Sequence, residues 1–285
     1  MENKRIRLAM AFTIGPTVAF LTTFFAFPIL VFFIYSLWIK EGHTINPTFT
    51  LANYLQAVTT PLYQSILLRT IEVGLITGLI CVLVGYPLAY AIAFRFKRFK
   101  SLALFILVAT ISSSYLVRIY SWRAVLGGDG LVNALARALG LMEGQRYFLI
   151  YSNVGVVLVL VSLYLPLSTL PIYSALRNIK PDIIAAAQDL GANALIAFWR
   201  ITLPLSAPGV RSAFIFAFIL GSSDYVVPRY VGDAGGMLIG VSIAGQFGSV
   251  DNWPLGSALT FLMIAVFLLL FGLIELGMRR LKVYR

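Results

Sequence analysis

Six runs of about twenty mainly apolar residues, parted by short polar segments, leave this chain few folds to choose from. A helix rises 1.5 Å per residue, so about twenty apolar residues cross the roughly 30 Å hydrocarbon layer of a bilayer. Lipid offers no partner to a backbone amide, so each crossing segment must satisfy its own hydrogen bonds and is expected to be helical. The runs lie at about residues 10–38, 66–94, 102–120, 150–173, 210–227 and 254–278. With 60% hydrophobic and 12% charged residues and a mean hydropathy of +0.90, a water-soluble fold is excluded. The expected fold class is an all-α integral membrane protein of six transmembrane helices, read as one domain over residues 1–285 without internal repeats.

The formal net charge of +11 is a topology signal and does not mark a nucleic-acid binder. Lys4, Arg5 and Arg7, then Arg95, Lys97, Arg98 and Lys100, and finally Arg279, Arg280, Lys282 and Arg285 all fall on one side of a six-span arrangement. By the positive-inside rule that side is the cytoplasm, which places both termini there and makes membrane lipid the partner of the basic surplus. The first run is too long for a signal peptide and reads as a retained anchor. Trp38, Trp122 and Trp253 sit at outer span ends, where amphipathic rings prefer the headgroup layer.

One histidine, His43, and one cysteine, Cys81, leave no set of residues for a metal centre and no intrachain disulfide. Gly74 and Gly78 form a G-x-x-x-G pair that suits close helix contact. Pro87, Pro166 and Pro171 fall within expected helices and favour kinks there.

The connection at 174–209 is the most informative segment. In "NIKPDIIAAAQDLGANALIAFWRITLP", Pro181 opens a helix, Asp182 complements its dipole, and alanines carry it to Leu190. Gly191 can cap it in the left-handed conformation, so that a second short helix from about Asn193 to Trp199 leaves at a new angle, with Pro204 and Pro208 expected to stop it. Ile183, Ile184, Ala187, Leu190, Phe198 and Trp199 are apolar for a cytoplasmic segment. They suit either an amphipathic connector on the inner leaflet or insertion into the groove of a partner.

The order of "AA" at Ala186 and Ala187, Gly191 four residues on, and "ITLP" ending at Leu203 and Pro204 resembles the coupling motif of permease subunits of bacterial ABC importers. Ala185 stands where that family carries a glutamate; Asp182 and Asp189 are the nearby acidic candidates to replace it. "FTLANYLQAV", "GYPLAY", "LVRIYSWRAVLGGDGLVN" and "DNWPLGSA" are similar to the spermidine/putrescine permease group, in particular its PotB-like branch, so the resemblance covers nearly the whole chain. It implies a MetI-like permease fold in the bacterial inner membrane, with a cytoplasmic coupling helix between the fourth and fifth helices. It also implies coupling to a cytoplasmic ATPase dimer through Ala186, Ala187, Asp189, Leu190, Gly191, Ala192, Asn193, Leu203 and Pro204. A second, PotC-like permease subunit and a periplasmic solute-binding protein are the other implied partners. The chain has no G-x-x-x-x-G-K-[ST] loop, so ATP and magnesium are expected on the ATPase and no cofactor on this chain, which is then no enzyme.

The implied cargo is a polyamine or similar small organic solute; opines, amino-acid derivatives or phosphonates are the alternatives. A stand-alone secondary transporter or channel is the reading from another class, disfavoured by the lack of an inverted repeat. Ionisable groups at membrane depth are costly, so each needs a partner or a use. Arg69 and Glu72 can pair at i, i+3, or Glu72 can face cargo. Arg118 can snorkel or bond a neighbouring helix, and Glu275 can pair with Arg279. Asp224, between Ser223 and Tyr225, can either line a hydrated wall for an organic cation or cap a helix end. The glycine-rich outer segment 228–253 reads as a partner-docking loop.

Overall fold

A computed structural model describes residues 14–42, 44–96, 98–141, 149–232 and 236–280, with the side chains of 274, 275 and 277–280 left aside. His43, Lys97, the basic N-terminal residues, the last five residues and the Glu275–Arg279 pair therefore lie outside what is described. The described residues fall into two compact units, one of residues up to Gln64 with Ser242–Leu270, the other of Ser65–Val241 with the residues from Phe271.

In the first unit, helix α1 (Ile14–Ser36) is followed by a hairpin of β1 (Ile39–Glu41) and β2 (Thr44–Asn46) and by α2 (Ala52–Thr59). Polar bonds that an aqueous rim allows tie α2 to the end of α1 and the hairpin to residues 250 and 251. Asn53 donates to the Ser36 and Trp38 carbonyls at 3.0 and 2.6 Å, and the Lys40 ammonium donates to the carbonyls of Val250 and Asp251 at 2.8 and 2.9 Å. Trp253 stacks on Phe32 at 6.2 Å, and Phe33 meets Phe261 edge-on at 5.2 Å, so α1 packs through aromatic rings on the start of α10 (Trp253–Arg280).

The second unit is built on three long helices, α3 (Pro61–Arg95), α7 (Asn153–Arg177) and α9 (Ala194–Ser223). Gly74 and Gly78 lie on the face of α3 that meets α9. A methyl on Gly74 would collide with the Ser222 hydroxyl, and one on Gly78 would come within 3.0 Å of the Phe214 ring. The seam is reciprocal, because a methyl on Gly221 of α9 would come within 3.2 Å of the Thr77 side chain of α3. Gly209 lets α9 reach α7, where its added carbon would stand 2.6 Å from the Pro171 carbonyl. Pro171 lacks an N–H, yet α7 runs unbroken through both Pro166 and Pro171. Its start is fixed by Ser152, whose Oγ accepts from the Gly155 amide at 3.1 Å.

Three expectations are corrected. The third run is not one spanning helix: α4 (Lys100–Ser112) and the segment from Tyr115 to Ala138, comprising α5 (Tyr115–Leu126) and α6 (Leu131–Ala138), meet at 91° across Ser113 and Ser114. Hydroxyls surround the break. Thr110 and Ser112 bond back to the carbonyls of Ile106 and Val108 within α4 at 2.7 and 3.0 Å, and the Ser113 hydroxyl donates at 2.7 Å to the Thr110 carbonyl of the last turn. Five helices of the described residues are long and apolar enough to cross a bilayer, and six spans result if the bent pair is one.

Pro204 and Pro208 do not stop a helix before the fifth span. The chain runs as helix from Ala194 to Ser223, through a π-turn at Phe198–Thr202 where the Leu203 amide reaches back five residues to Phe198. Pro204 sits directly after that wider turn, in the first turn of the segment Leu203–Ser223, where a missing N–H breaks little. The span that was expected from 210 thus begins at the coupling segment itself. Likewise α7 continues to Arg177, so the connection starts there and not at 174.

Candidate functional site

The segment between α7 and α9 is a hairpin with a sharp elbow. Helix α8 (Pro181–Asp189) ends in paired bonds from Gly191 N–H to the Gln188 carbonyl at 2.9 Å and from Ala192 N–H to the Ala187 carbonyl at 3.0 Å. This is a Schellman turn, and Gly191 holds the left-handed φ of +89° that it needs. Asn193 then caps α9, its Oδ1 accepting from the Ile196 amide at 2.8 Å.

The elbow is bare. No residue of α8 is buried, Leu190 is 90% exposed, and a methyl placed on Gly191 would touch nothing within 4 Å. Ile183, Leu195, Ile196 and Trp199 are exposed beside it. Asp182 and Asp189 stand three residues before and four after Ala185, all of them exposed, so a negative charge flanks the family's glutamate position on the same helix face.

At its root the hairpin is gripped firmly. Ile184 packs on the core of Ile172, Tyr173, Leu176 and Ile179 at the inner end of α7. The Phe198 ring meets Tyr86 and Tyr90 of α3 edge-on, at 5.8 and 6.0 Å, and the Tyr86 hydroxyl bonds the Ser206 hydroxyl of α9 at 2.9 Å. Tyr86 and Tyr90 are one turn apart, so together they form a slot for one ring. Sequence reasoning gave them no part; the signal was the aromatic pair at i, i+4 inside "GYPLAY".

At the other end of the unit, Asp224 is 6% exposed and ends α9. Its Oδ1 accepts from the amides of Val226 and Val227 at 2.9 and 3.0 Å; its Oδ2 accepts from the Tyr115 hydroxyl at 2.5 Å and the Tyr164 hydroxyl at 2.8 Å. The carboxylate thus caps the turn that follows α9 and clamps α5 and α7 to it. Four donors occupy it, which favours the capping reading over the cargo wall. Tyr115 and Tyr164 went unnoticed in the sequence, where nothing marks a tyrosine as the partner of a carboxylate sixty or more residues away.

The other expected pathway residues are dispersed. Ser223 and Tyr225 flank Asp224 and are both exposed, Tyr225 by 48%. Arg118, one turn after Tyr115, lines a cavity of about 200 Å³ with Ser121, Trp122 and Val125, and its Nε and one Nη are buried without a hydrogen-bond partner. Glu72 lies elsewhere, on a groove between α3 and α7. Among the described residues no group of three or more potential ligands could hold a metal ion.

No protein-family model matches the chain. A spermidine/putrescine transport system permease, PotB of Haemophilus influenzae, is 30% identical over 261 residues, 91% of each chain. An inner membrane ABC transporter permease of Escherichia coli K12, YdcU, is 31% identical over 79% of this chain and 76% of its own. Among solved structures, a chain of a bacterial alginate ABC transporter, crystallised with its alginate-bound periplasmic protein, superposes with a TM-score of 0.81 at 15% identity, covering 99% of this chain and 97% of that one. That last likeness is one of fold. Identity at this level across nine-tenths of both chains, on a bundle with the helix–elbow–helix of the coupling motif, establishes that the chain belongs to the bacterial ABC-importer permeases of the PotB type, multi-pass subunits of the inner membrane that are not themselves enzymes.

Proposed function

We propose that this permease subunit forms half of the path for a polyamine, or a small organic solute like it, that a periplasmic binding protein delivers. A second, PotC-like permease subunit completes the path. A cytoplasmic ATPase dimer grips the elbow and holds ATP and magnesium, and this chain binds no cofactor. Support for the cargo is the naming of its curated relatives as spermidine/putrescine permeases.

The observation that carries the coupling role is the contrast within the hairpin: a bare tip at Leu190 and Gly191 on a root locked into the bundle by Phe198. Apolar groups held out on a rigid arm lose free energy in water and regain it in a partner's cleft. Ala186, Ala187, Asp189, Ala192 and Asn193 surround the tip, while Leu203 and Pro204 begin the long stretch of α9. Displacing the tip moves α9 as a lever, because no break separates residues 194 and 223, and it pulls α3 through the Tyr86–Tyr90 slot. ATP binding then biases a two-state bundle by differential affinity for the docked hairpin. Ser223 and Tyr225 contact cargo at the far end, held in place by Asp224, with Arg118 on a flanking surface.

The test is ATP-dependent uptake of labelled spermidine and putrescine by the purified four-part transporter in liposomes. Uptake that needs both the ATPase and the binding protein supports the reading. Transport by this chain alone would replace it with a secondary carrier or channel, and uptake only of carboxylated or phosphonated solutes would replace the cargo.

A further inference from the structure

One unexplained feature of the second unit is a groove of about 490 Å³ between α3 and α7. Its lining is apolar except at one end. Glu72 and Asn153 stand there, and Asn153 Oδ1 is buried with no hydrogen-bond donor. Both helices run from the outer face inward, so Ile80 and Val161, each eight residues deeper, mark the other end about 12 Å below. Ile76 and Val154 flank the mouth and are 39% and 62% exposed.

A carboxylate and an unsatisfied amide oxygen at the same end of one groove are both acceptors, and the group that serves both is a donor cation with several N–H bonds, a primary ammonium. A diamine or triamine of the proposed cargo class fits poorly, because its second ammonium would come to rest among Ile80, Leu158 and Val161 with no acceptor. One ammonium at the outer end and a hydrocarbon chain pointing inward, with the phosphate left above the mouth in the hydrated headgroup layer because the lining holds no cation for it, is the shape of an ethanolamine phospholipid standing in the outer leaflet.

We propose that this groove binds an ethanolamine phospholipid, its ammonium on Glu72 and Asn153 and one acyl chain along Ile76, Ile80, Leu158 and Val161. The site lies apart from the coupling hairpin, and its occupancy is measured without transport, so it stands or falls independently of the cargo reading.

The experiment is native mass spectrometry of the assembled transporter released from membranes of ethanolamine, glycerol and choline phospholipids in equal amounts. Wild type should retain the ethanolamine lipid selectively, because the quaternary choline has no N–H to donate. Glu72→Gln should cut that retention about tenfold, the worth of one charge-assisted hydrogen bond. Ile76→Trp, which fills the groove and leaves Glu72 intact, should lower it as well. Equal retention of the three lipids, or undiminished retention by both variants, overturns the proposal. Displacement of the lipid by millimolar spermidine in a Glu72-dependent way overturns it too, and assigns the ammonium to the solute. Should Glu72→Gln fail to assemble, the choline comparison and Ile76→Trp still decide.

Discussion

Replacing Gly191 by alanine and by tryptophan separates the shape of the elbow from its fit to a partner. At φ +89° any side chain with a Cβ costs roughly 1–2 kcal/mol, and that cost is the same for both substitutions. Neither meets a clash within this chain, since nothing lies within 4 Å of the added carbon. α8 buries no residue, so neither variant should unfold the bundle, and melting of the detergent-solubilised subunit should stay within a few degrees of wild type. Straightening of the elbow should weaken docking of the ATPase by about 5- to 30-fold in the alanine variant, as 1–2 kcal/mol dictates. Tryptophan adds an indole to the tip, into space that only a partner occupies, and should weaken it at least tenfold more. The assay is the affinity of purified ATPase for the variant permease complex in nanodiscs. Equal affinity for the two variants, or wild-type affinity for tryptophan, would refute docking at the elbow.

Phe198→Ala removes the ring from its slot between Tyr86 and Tyr90 and should uncouple without undocking: ATPase affinity within about threefold of wild type, but hydrolysis no longer stimulated by the loaded binding protein. Gly78→Val presses on the Phe214 ring and backbone and should cost on the order of 1–3 kcal/mol, read as a lower melting temperature of the subunit. Asp224→Ala leaves two tyrosine hydroxyls and two amides without an acceptor and should destabilise by at least about 3 kcal/mol, whereas Asp224→Asn keeps acceptor oxygen for the cap and should lose less. Were Asp224 instead a cargo ligand, the asparagine variant would raise KM for transport at unchanged stability.

Helical class and the elbow were legible because each rests on local, repeated signals. A bilayer demands twenty apolar residues in a row, and a left-handed cap demands Gly191. The break in the third run falls at "TISSS", but serine and threonine hydroxyls bond their own helix in unbroken spans too, so the residue types do not announce a bend. Pro204 misled for the opposite reason: a π-turn placed just before it leaves it in the first turn of the next segment, and no residue type announces such a turn; Pro208 is simply carried inside the helix. The partners of Phe198 and Asp224 were hidden by distance along the chain. Tyr86 lies more than one hundred residues before its ring contact, and only packing α3 against α9 reveals it. Gly74 and Gly78 stand between these cases, since their spacing announced a close contact without naming α9 as the helix on the other side.

A photo-crosslinker carried at Leu190 puts the central claim to the most direct test. In the assembled transporter the probe should form its adduct with the nucleotide-hydrolysing subunit and should be quenched only by polar reagents added on the cytoplasmic face. Adducts confined to lipid, or a probe reached from the periplasmic face alone, would contradict it.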